Sequence, residues 1–412
     1  MQTAPTPDPD HAGVGSFTQG WACARPLFGP WTFLSPTDND FTMRTLTAPS
    51  HIAILGAGLM GRLLALELAR EGHRVEVFEA KGPEADGAAA RVAAAMLAPL
   101  AESAVTEPGV VRMGQYALKR WPELIAQLDA PVFFQHNGTL VVWHRQDAAD
   151  AARLCGLFEK NRRINPTLPA LQNVAPAQMA EVEPALQGRF QQAVYLPGEG
   201  QLDNRQLLAA LESTLSALGV QFHWHTARET TDFAPGTAGQ PDFVLDCRGL
   251  GARTQWQQLR GVRGEVVRVH APEVTLQRPT RLVHPRYPLY IAPKQDHIFV
   301  IGATEIESDD MGPASVRSTM ELLSALYTVH SGFAEARILE INTQCRPTLP
   351  DNLPALRWLG ERTLQVNGLY RHGFMISPAM LDITLQVLRS GSADLARQFD
   401  VAVHQPETAA AA

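Results

Sequence analysis

From His51 onward, short apolar runs alternate with glycine-marked turns, and the first periodic block reads as strand, turn, helix and strand. His51-Ile52-Ala53-Ile54-Leu55 has the continuous apolar character of a strand buried on both faces. Gly56-Ala57-Gly58-Leu59-Met60-Gly61 follows directly. Leu63, Leu64, Leu66, Leu68 and Ala69 then predict a helix that Gly72 ends, and Arg74-Val75-Glu76-Val77-Phe78 predicts a second strand closing on Glu79. Further along, Asp203 is placed to cap a helix carrying Leu207, Leu208, Leu211, Leu215 and Leu218, with Gly219 as its stop. Val220 to His225 and Phe243 to Asp246 read as strands, the second running into a turn at Gly249. Arg281 to Thr304 alternates apolar and polar residues across a turn near Lys294-Gln295-Asp296, the pattern of a hairpin, with Val262 to Val267 as a neighbouring strand. Leu364 to Tyr370 leads through Arg371-His372-Gly373-Phe374-Met375 into a helix holding Leu381, Leu385 and Leu388, whose start is predicted at Ser377 and Pro378.

The three glycines of the first turn have distinct tasks. Gly56 permits the tight turn, Gly58 lets a pyrophosphate approach the backbone at the helix N-terminus, and Gly61 lets helix and strand pack closely. Leu59 and Met60 complete the phosphate-facing turn, with Ala80 beside Glu79 at the adenosine end. A carboxylate at Glu79 suits the ribose hydroxyls and disfavours a 2′-phosphate, hence NADP. The turn does not separate NAD from FAD. Three later segments favour FAD. The small residues from Ala88 to Pro99, including Ala94, Ala95 and Met96, either let a bulky ring lie against the backbone or form an alanine-rich helix. The strand ending at Gly249 returns the chain to a cofactor-binding sheet. His372, Gly373, Phe374 and Met375 lead into a helix whose N-terminus suits the negative charge of a reduced flavin.

At 412 residues the chain exceeds what one growing core accommodates, so two domains sharing a cleft are expected. The fold class expected is α/β: a Rossmann-like FAD-binding domain with a second, α+β substrate domain built on an antiparallel sheet. The first would be discontinuous, taking residues 50–130, 190–260 and 340–400; the second takes 131–189 and 261–339. Residues 1–49, rich in Pro, Gly, Thr and Asp, read as a poorly ordered extension, and 401–412 as a disordered tail. Trp21, Phe28, Trp31 and Phe33 in the extension are an alternative docking motif, but their spacing is neither helical nor alternating.

A net charge of -7 without a clustered basic stripe argues against nucleic acid. The chain lacks an apolar run long enough to span a bilayer and the basic, apolar start of a signal peptide, so a cytoplasmic protein is expected. Cys23, Cys155, Cys247 and Cys345 form no C-x-x-C pair, which suits a reducing compartment and offers no zinc site. His223 and His225 alternate on a predicted strand without a third ligand, so no metal is expected. Glu305, just after Gly302-Ala303-Thr304, either faces a pocket or ends a strand in solvent.

Several segments together resemble the D-amino acid oxidase superfamily of flavoproteins, and within it the glycine oxidases of bacterial thiamine biosynthesis. They are the Gly56 to Gly61 turn with Glu79, Ala93-Ala94-Ala95-Met96-Leu97, Gln135-His136-Asn137-Gly138, Leu289-Tyr290-Ile291-Ala292-Pro293, Gly302-Ala303-Thr304, Cys345-Arg346-Pro347 and Tyr370-Arg371-His372-Gly373. The resemblance runs from about His51 to Phe399. It implies FAD, a small amino acid and O2 as reactants, hydride transfer to flavin N5, and an imine and H2O2 as products. By the same resemblance Arg346 holds the substrate carboxylate, Tyr290 touches the same group, and Arg371 lines the site. A guanidinium suits that task because its planar fork matches a carboxylate and stays charged. No catalytic acid or base is implied. The chain departs from the family pattern at Val92, Ala95 and His372, where Ser or Thr, Gly and Asn are common, and by Leu349 inserted between Thr348 and Pro350-Asp351. Cys345 is similarly placed to the flavin-attachment cysteine of related sarcosine oxidases, shifted by a residue; the other reading is a small buried thiol. Two other functions stay open at this point: a flavin dehydrogenase passing electrons to a quinone or carrier, and a dinucleotide-binding protein without turnover. Whether the chain forms a homo-oligomer is also open.

Overall fold

The computed structural model describes residues 44–46, 49–283 and 289–406. Most of the extension expected over residues 1–49, with its four aromatics, lies outside the described residues, but Leu46 is buried and its backbone N–H donates to the Leu388 carbonyl. No helix among the described residues is long and apolar enough to cross a membrane.

Seven strands form the first sheet, in the order Ala402–His404, Ala355–Gly360, Thr363–Asn367, Phe243–Asp246, His51–Leu55, Arg74–Phe78 and Gln221–His223. Neighbours run parallel except Ala355–Gly360 against Thr363–Asn367. Ala402–His404, part of the segment expected to be a disordered tail, is therefore an edge strand. The central strand shows why its sequence is apolar throughout. Ile52 and Ile54 face the helices Leu59–Arg70, Pro108–Ile125, Asn204–Ala217 and Gly373–Ser390, while Ala53 and Leu55 pack with Val244, Phe78 and Phe233 on the other side. Ile52, Ile54 and Leu55, fully buried, each contribute roughly 1.5–3 kcal/mol. The Asp203 cap forms as expected: its carboxylate accepts the backbone N–H groups of Arg205 and Gln206, and Gly219, at φ +83°, follows the helix end.

The last long helix corrects an expectation. It spans Gly373–Ser390, so Ser377 and Pro378 lie inside it rather than at its start. Proline cannot donate to the carbonyl of Phe374, four residues back. That carbonyl instead accepts the indole N–H of the fully buried Trp121 at 2.9 Å, and Ser377 Oγ donates to the Gly373 carbonyl at 2.6 Å. With the orphaned carbonyl satisfied from another helix, the helix extends about one turn earlier.

The second, nine-stranded sheet is largely antiparallel. Arg260–His270 lies between Ile298–Gly302 and Arg337–Thr348, and Ile298–Gly302 forms the expected hairpin with Leu289–Pro293. Residues 284–288, before that hairpin, are outside those described. Alternation along these strands divides the sheet's faces. Val267, Val269, Ile291 and Ile301 pack under the helix Val316–Val329, whereas Val266, Ala292 and Val300 turn with Tyr290 toward Ala94. The stretch from Ala88 forms a single helical turn, Ala89–Val92, and then non-helical chain, left-handed at Ala95, entering the short strand Met96–Leu97.

Candidate active site

A cavity of about 600 Å³ runs from the turn after the first strand to the inner face of the second sheet. At the first end, Gly56 has φ +94°, and a Cβ there would lie 2.8 Å from the Cys247 carbonyl oxygen. Gly61 does not line the cavity. It packs the helix on the turn, since its Cβ would fall 1.9 Å from the Gly56 oxygen. Gly58, in contrast, opens the helix Leu59–Arg70 with no side-chain cap, and a Cβ there would meet only Ala88, at 3.7 Å. The turn thus presents uncapped N–H groups to open space, the arrangement that receives a phosphate. Leu59, Met60 and Ala80 line the same end. Glu79 also lines it, with Oε2 accepting the Ala57 N–H at 2.7 Å and Oε1 the Lys81 N–H at 2.9 Å. These bonds fix the carboxylate while leaving lone pairs for a ribose.

The middle of the cavity is lined by Ala94, Ala95, Met96 and Gly249 on one side and by His372, Gly373, Phe374 and Met375 on the other. Ala95, where the resembling family carries Gly, has φ +53°. A Cβ on Gly373 would meet nothing within 4 Å, so the N-terminus of the Gly373–Ser390 helix is open. Small residues on one wall and free helix N–H groups on the other suit a flat ring system that gains negative charge. Lys294, at the hairpin turn, was not singled out by sequence as a site residue. Its ammonium is buried and donates to the Ala94 carbonyl at 2.8 Å, the Leu202 carbonyl at 2.7 Å and Gln201 Oε1 at 3.0 Å, holding the Ala94 segment on the hairpin. Burial pushes its pKa down to about 7.

The far end holds the three expected substrate residues. Arg346 lies in a regular strand pair opposite Val262, and the inserted Leu349 falls after that strand, so it does not disturb the register. Among the described residues the guanidinium donates only to backbone carbonyls: Nη2 to Thr304 at 3.2 Å, and Nη1 to Thr304, Arg263 and Val262 at 3.3–3.5 Å. Among the described residues it has no carboxylate partner, and burial lowers its pKa. Tyr290 lies across from Gly302, where a Cβ would fall 2.5 Å from the phenol oxygen. Burial raises the Tyr290 pKa, so the hydroxyl keeps its proton.

Arg371 differs from Arg346. It pairs with Glu102 Oε2 at 3.2 Å and with Glu305 Oε2 at 2.8 Å. Burial disfavours its charge, and the two carboxylates more than restore it. Glu102 also binds Arg281 at 2.7 Å; although burial opposes its ionisation, Arg371 and Arg281 hold its pKa well below the usual carboxylate range. His372 is buried 3.6 Å from Glu102, and burial drives its pKa to about 4, leaving it neutral near pH 7. Glu305 lines the pocket at its solvent-exposed edge, so both of its readings hold in part, and its other oxygen accepts the Tyr370 hydroxyl. Glu102 and Arg281 were not legible as site residues, since neither belongs to a recognisable motif. Cys345 is a buried free thiol near the Ser308 and Asp310 carbonyls. His223 bonds Glu76 at 3.1 Å and stacks on Phe78.

Comparison with known proteins finds relatives of the same fold. A family model described as FAD dependent oxidoreductase matches residues 51–384. The chain is 40% identical over 334 residues to the putative thiamine biosynthesis oxidoreductase ThiO of Rhizobium etli, covering 80% of this chain and 94% of that protein. Among solved structures it is similar to glycine oxidase from Geobacillus kaustophilus, with TM-score 0.68, 26% identity, and coverage of 87% of this chain and 96% of that one. Iminodiacetate oxidase from Chelativorans sp. BNC1 has the same fold, with TM-score 0.71, 20% identity, and coverage of 87% and 100%.

Proposed function

The chain belongs to the FAD dependent oxidoreductase family, and from that premise we propose that it is an amino acid oxidase whose preferred substrate is glycine, ahead of sarcosine and small D-amino acids. Its relatives' names support amine donors and a place in thiamine biosynthesis. The free cysteines among the described residues support a reducing, cytoplasmic location.

The observation that carries the reading is the largely buried guanidinium of Arg346, which among the described residues lacks a carboxylate partner and shares a cavity with the phosphate-type turn at Gly56 and Gly58. A buried cation without a counter-ion is costly, and a ligand carboxylate relieves that cost. The residues fit FAD: the Gly56 to Met60 turn for the pyrophosphate, Glu79 for the ribose, and Ala94 to Met96 with His372 to Met375 for the flavin. When bound, FAD supplies the acceptor for two electrons and the hydrogen leaving the substrate Cα.

This chain's own residues then bind and orient. Arg346 takes the substrate carboxylate, and the protonated Tyr290 hydroxyl donates to the same group. Arg371, held from both sides by Glu102 and Glu305, lines the site as a fixed positive charge. The inner face of the second sheet, with Val266, Ala292 and Ala303, keeps water from the reacting carbon. The amine must be neutral before hydride leaves, so the activity profile should carry the substrate's own ionisation. Hydrolysis of the imine gives a 2-oxo acid and ammonia or an amine, and O2 is reduced to H2O2.

The test is to record the visible spectrum of the purified protein and add glycine with and without oxygen. Flavin bleaching with peroxide, lost in Arg346→Ala, is expected. Bleaching without peroxide overturns the oxidase. Bleaching only by another amine overturns glycine, and a protein that takes up no flavin overturns the whole assignment.

A further inference from the structure

Among the described residues at the substrate end, three guanidinium groups, Arg281, Arg346 and Arg371, face two carboxylates, Glu102 and Glu305. Glu102 is buried and divided between Arg281 and Arg371. Glu305 takes the remaining edge of Arg371 at 2.8 Å, and its side chain is 41% exposed, so it stands at a water-accessible edge rather than in the core. Thr304, the residue before it, gives its carbonyl to Arg346. Adjacent residues of one short connection therefore support the carboxylate-receiving arginine and present a carboxylate beside it.

This arrangement has a consequence for ligand charge. Among these described groups, three cations against two anions leave one guanidinium, that of Arg346, without a carboxylate. A ligand with one carboxylate neutralises the site. A ligand with a second carboxylate must either displace Glu305 from Arg371 or sit next to it as a like charge, and such juxtaposition inside a protein discriminates strongly between partners.

We infer that Glu305 is a specificity-determining residue that admits amines carrying one carboxylate and rejects those carrying a second anionic group. The inference rests on the amino acid oxidase reading above, and it narrows the substrate class of that same site to monocarboxylates.

The experiment compares the flavin-loaded wild type with Glu305→Gln and Glu305→Asp. Glutamine keeps the size and removes the charge: its carbonyl oxygen still accepts from Arg371, and its NH2 donates to the Tyr370 oxygen where the carboxylate accepted; aspartate keeps the charge. Glycolate and malonate, a mono- and a dicarboxylate that carry no amine, are titrated by calorimetry alongside flavin absorbance. Wild type is expected to bind glycolate about tenfold or more tightly than malonate, Glu305→Gln to lose about tenfold of that preference mainly through tighter malonate binding, and Glu305→Asp to keep it. Turnover of glycine and of iminodiacetate, a glycine bearing a second carboxylate, should move in the same direction. An unchanged binding ratio in Glu305→Gln, or a wild type that prefers malonate, overturns the role of Glu305. Glycine oxidation in the same preparations reports separately on the function. An enzyme that oxidises glycine with an unchanged ratio loses only this inference, whereas one that shows the predicted ratios without oxidising any amine keeps it and loses the oxidase.

Discussion

The guanidinium of Arg346 lies against the backbone of Gly264: a Cβ at Gly264 would fall 2.4 Å from Nη2 and 2.6 Å from the central carbon. The two strands that carry these residues pair directly, Val262 opposite Arg346 and Gly264 opposite Gln344, so the arginine reaches along its neighbour over a position without a side chain. Gly264→Ala should push the guanidinium out of its place under the Thr304 carbonyl. The expected outcome is a rise in the KM for glycine of about tenfold or more, because an ångström of misplacement at a positioning group costs that much. Flavin affinity should change little, which separates this effect from unfolding; steady-state kinetics with a flavin titration check both.

Trp121 and Phe374 are 253 residues apart and joined by the bond that makes a proline tolerable inside the Gly373–Ser390 helix. Trp121→Phe keeps a ring but removes the donor, leaving a buried carbonyl unsatisfied. Stability of the apoprotein in urea should fall by about 1–3 kcal/mol. If the helix start supports the cofactor, flavin binding should weaken in parallel.

Ala95 occupies a left-handed conformation at φ +53°, which costs an alanine roughly 1–2 kcal/mol relative to an allowed region. Ala95→Gly should therefore stabilise the protein by up to about 1 kcal/mol, part of the gain being offset by the freedom glycine adds to the unfolded chain. Ala95→Val should destabilise it. Thermal melts of the flavin-free protein give the order Gly, Ala, Val.

His372 supplies a pH dependence with a definite sign. Burial lowers its folded pKa to about 4, against about 6.5 in the unfolded chain. Between these values the unfolded state binds more protons, so stability contributed by the neutral imidazole is present above pH 6.5 and is lost as pH falls toward 4. Compared with His372→Asn, which does not titrate, the wild type should lose about 1–3 kcal/mol between pH 7 and pH 4. Parallel denaturant curves for the two proteins measure the difference; a constant gap across that range would contradict the neutral, buried state.

What the sequence by itself determined was local. The first strand, its glycine turn and the helix after it follow from apolar runs and residue chemistry within one short stretch. So do the Asp203 cap and the hairpin from Leu289 to Gly302, because hydrogen bonds between near neighbours dictate them. Arg346, Tyr290 and Arg371 were named from motif resemblance, and all three line one cavity. What only the tertiary structure decided was which charges meet. Arg346 and Arg371 look alike as lone arginines beside a proline and a histidine, yet among the described residues one is left without a carboxylate and the other receives two. Glu102 and Glu305 come from a short helix and a strand connection with no spacing that relates them to Arg371, and Trp121 meets Phe374 from a different helix. Such pairings depend on side chains brought together by the packing of two sheets. Periodicity records which face of an element is buried, but not which polar group waits on the other side.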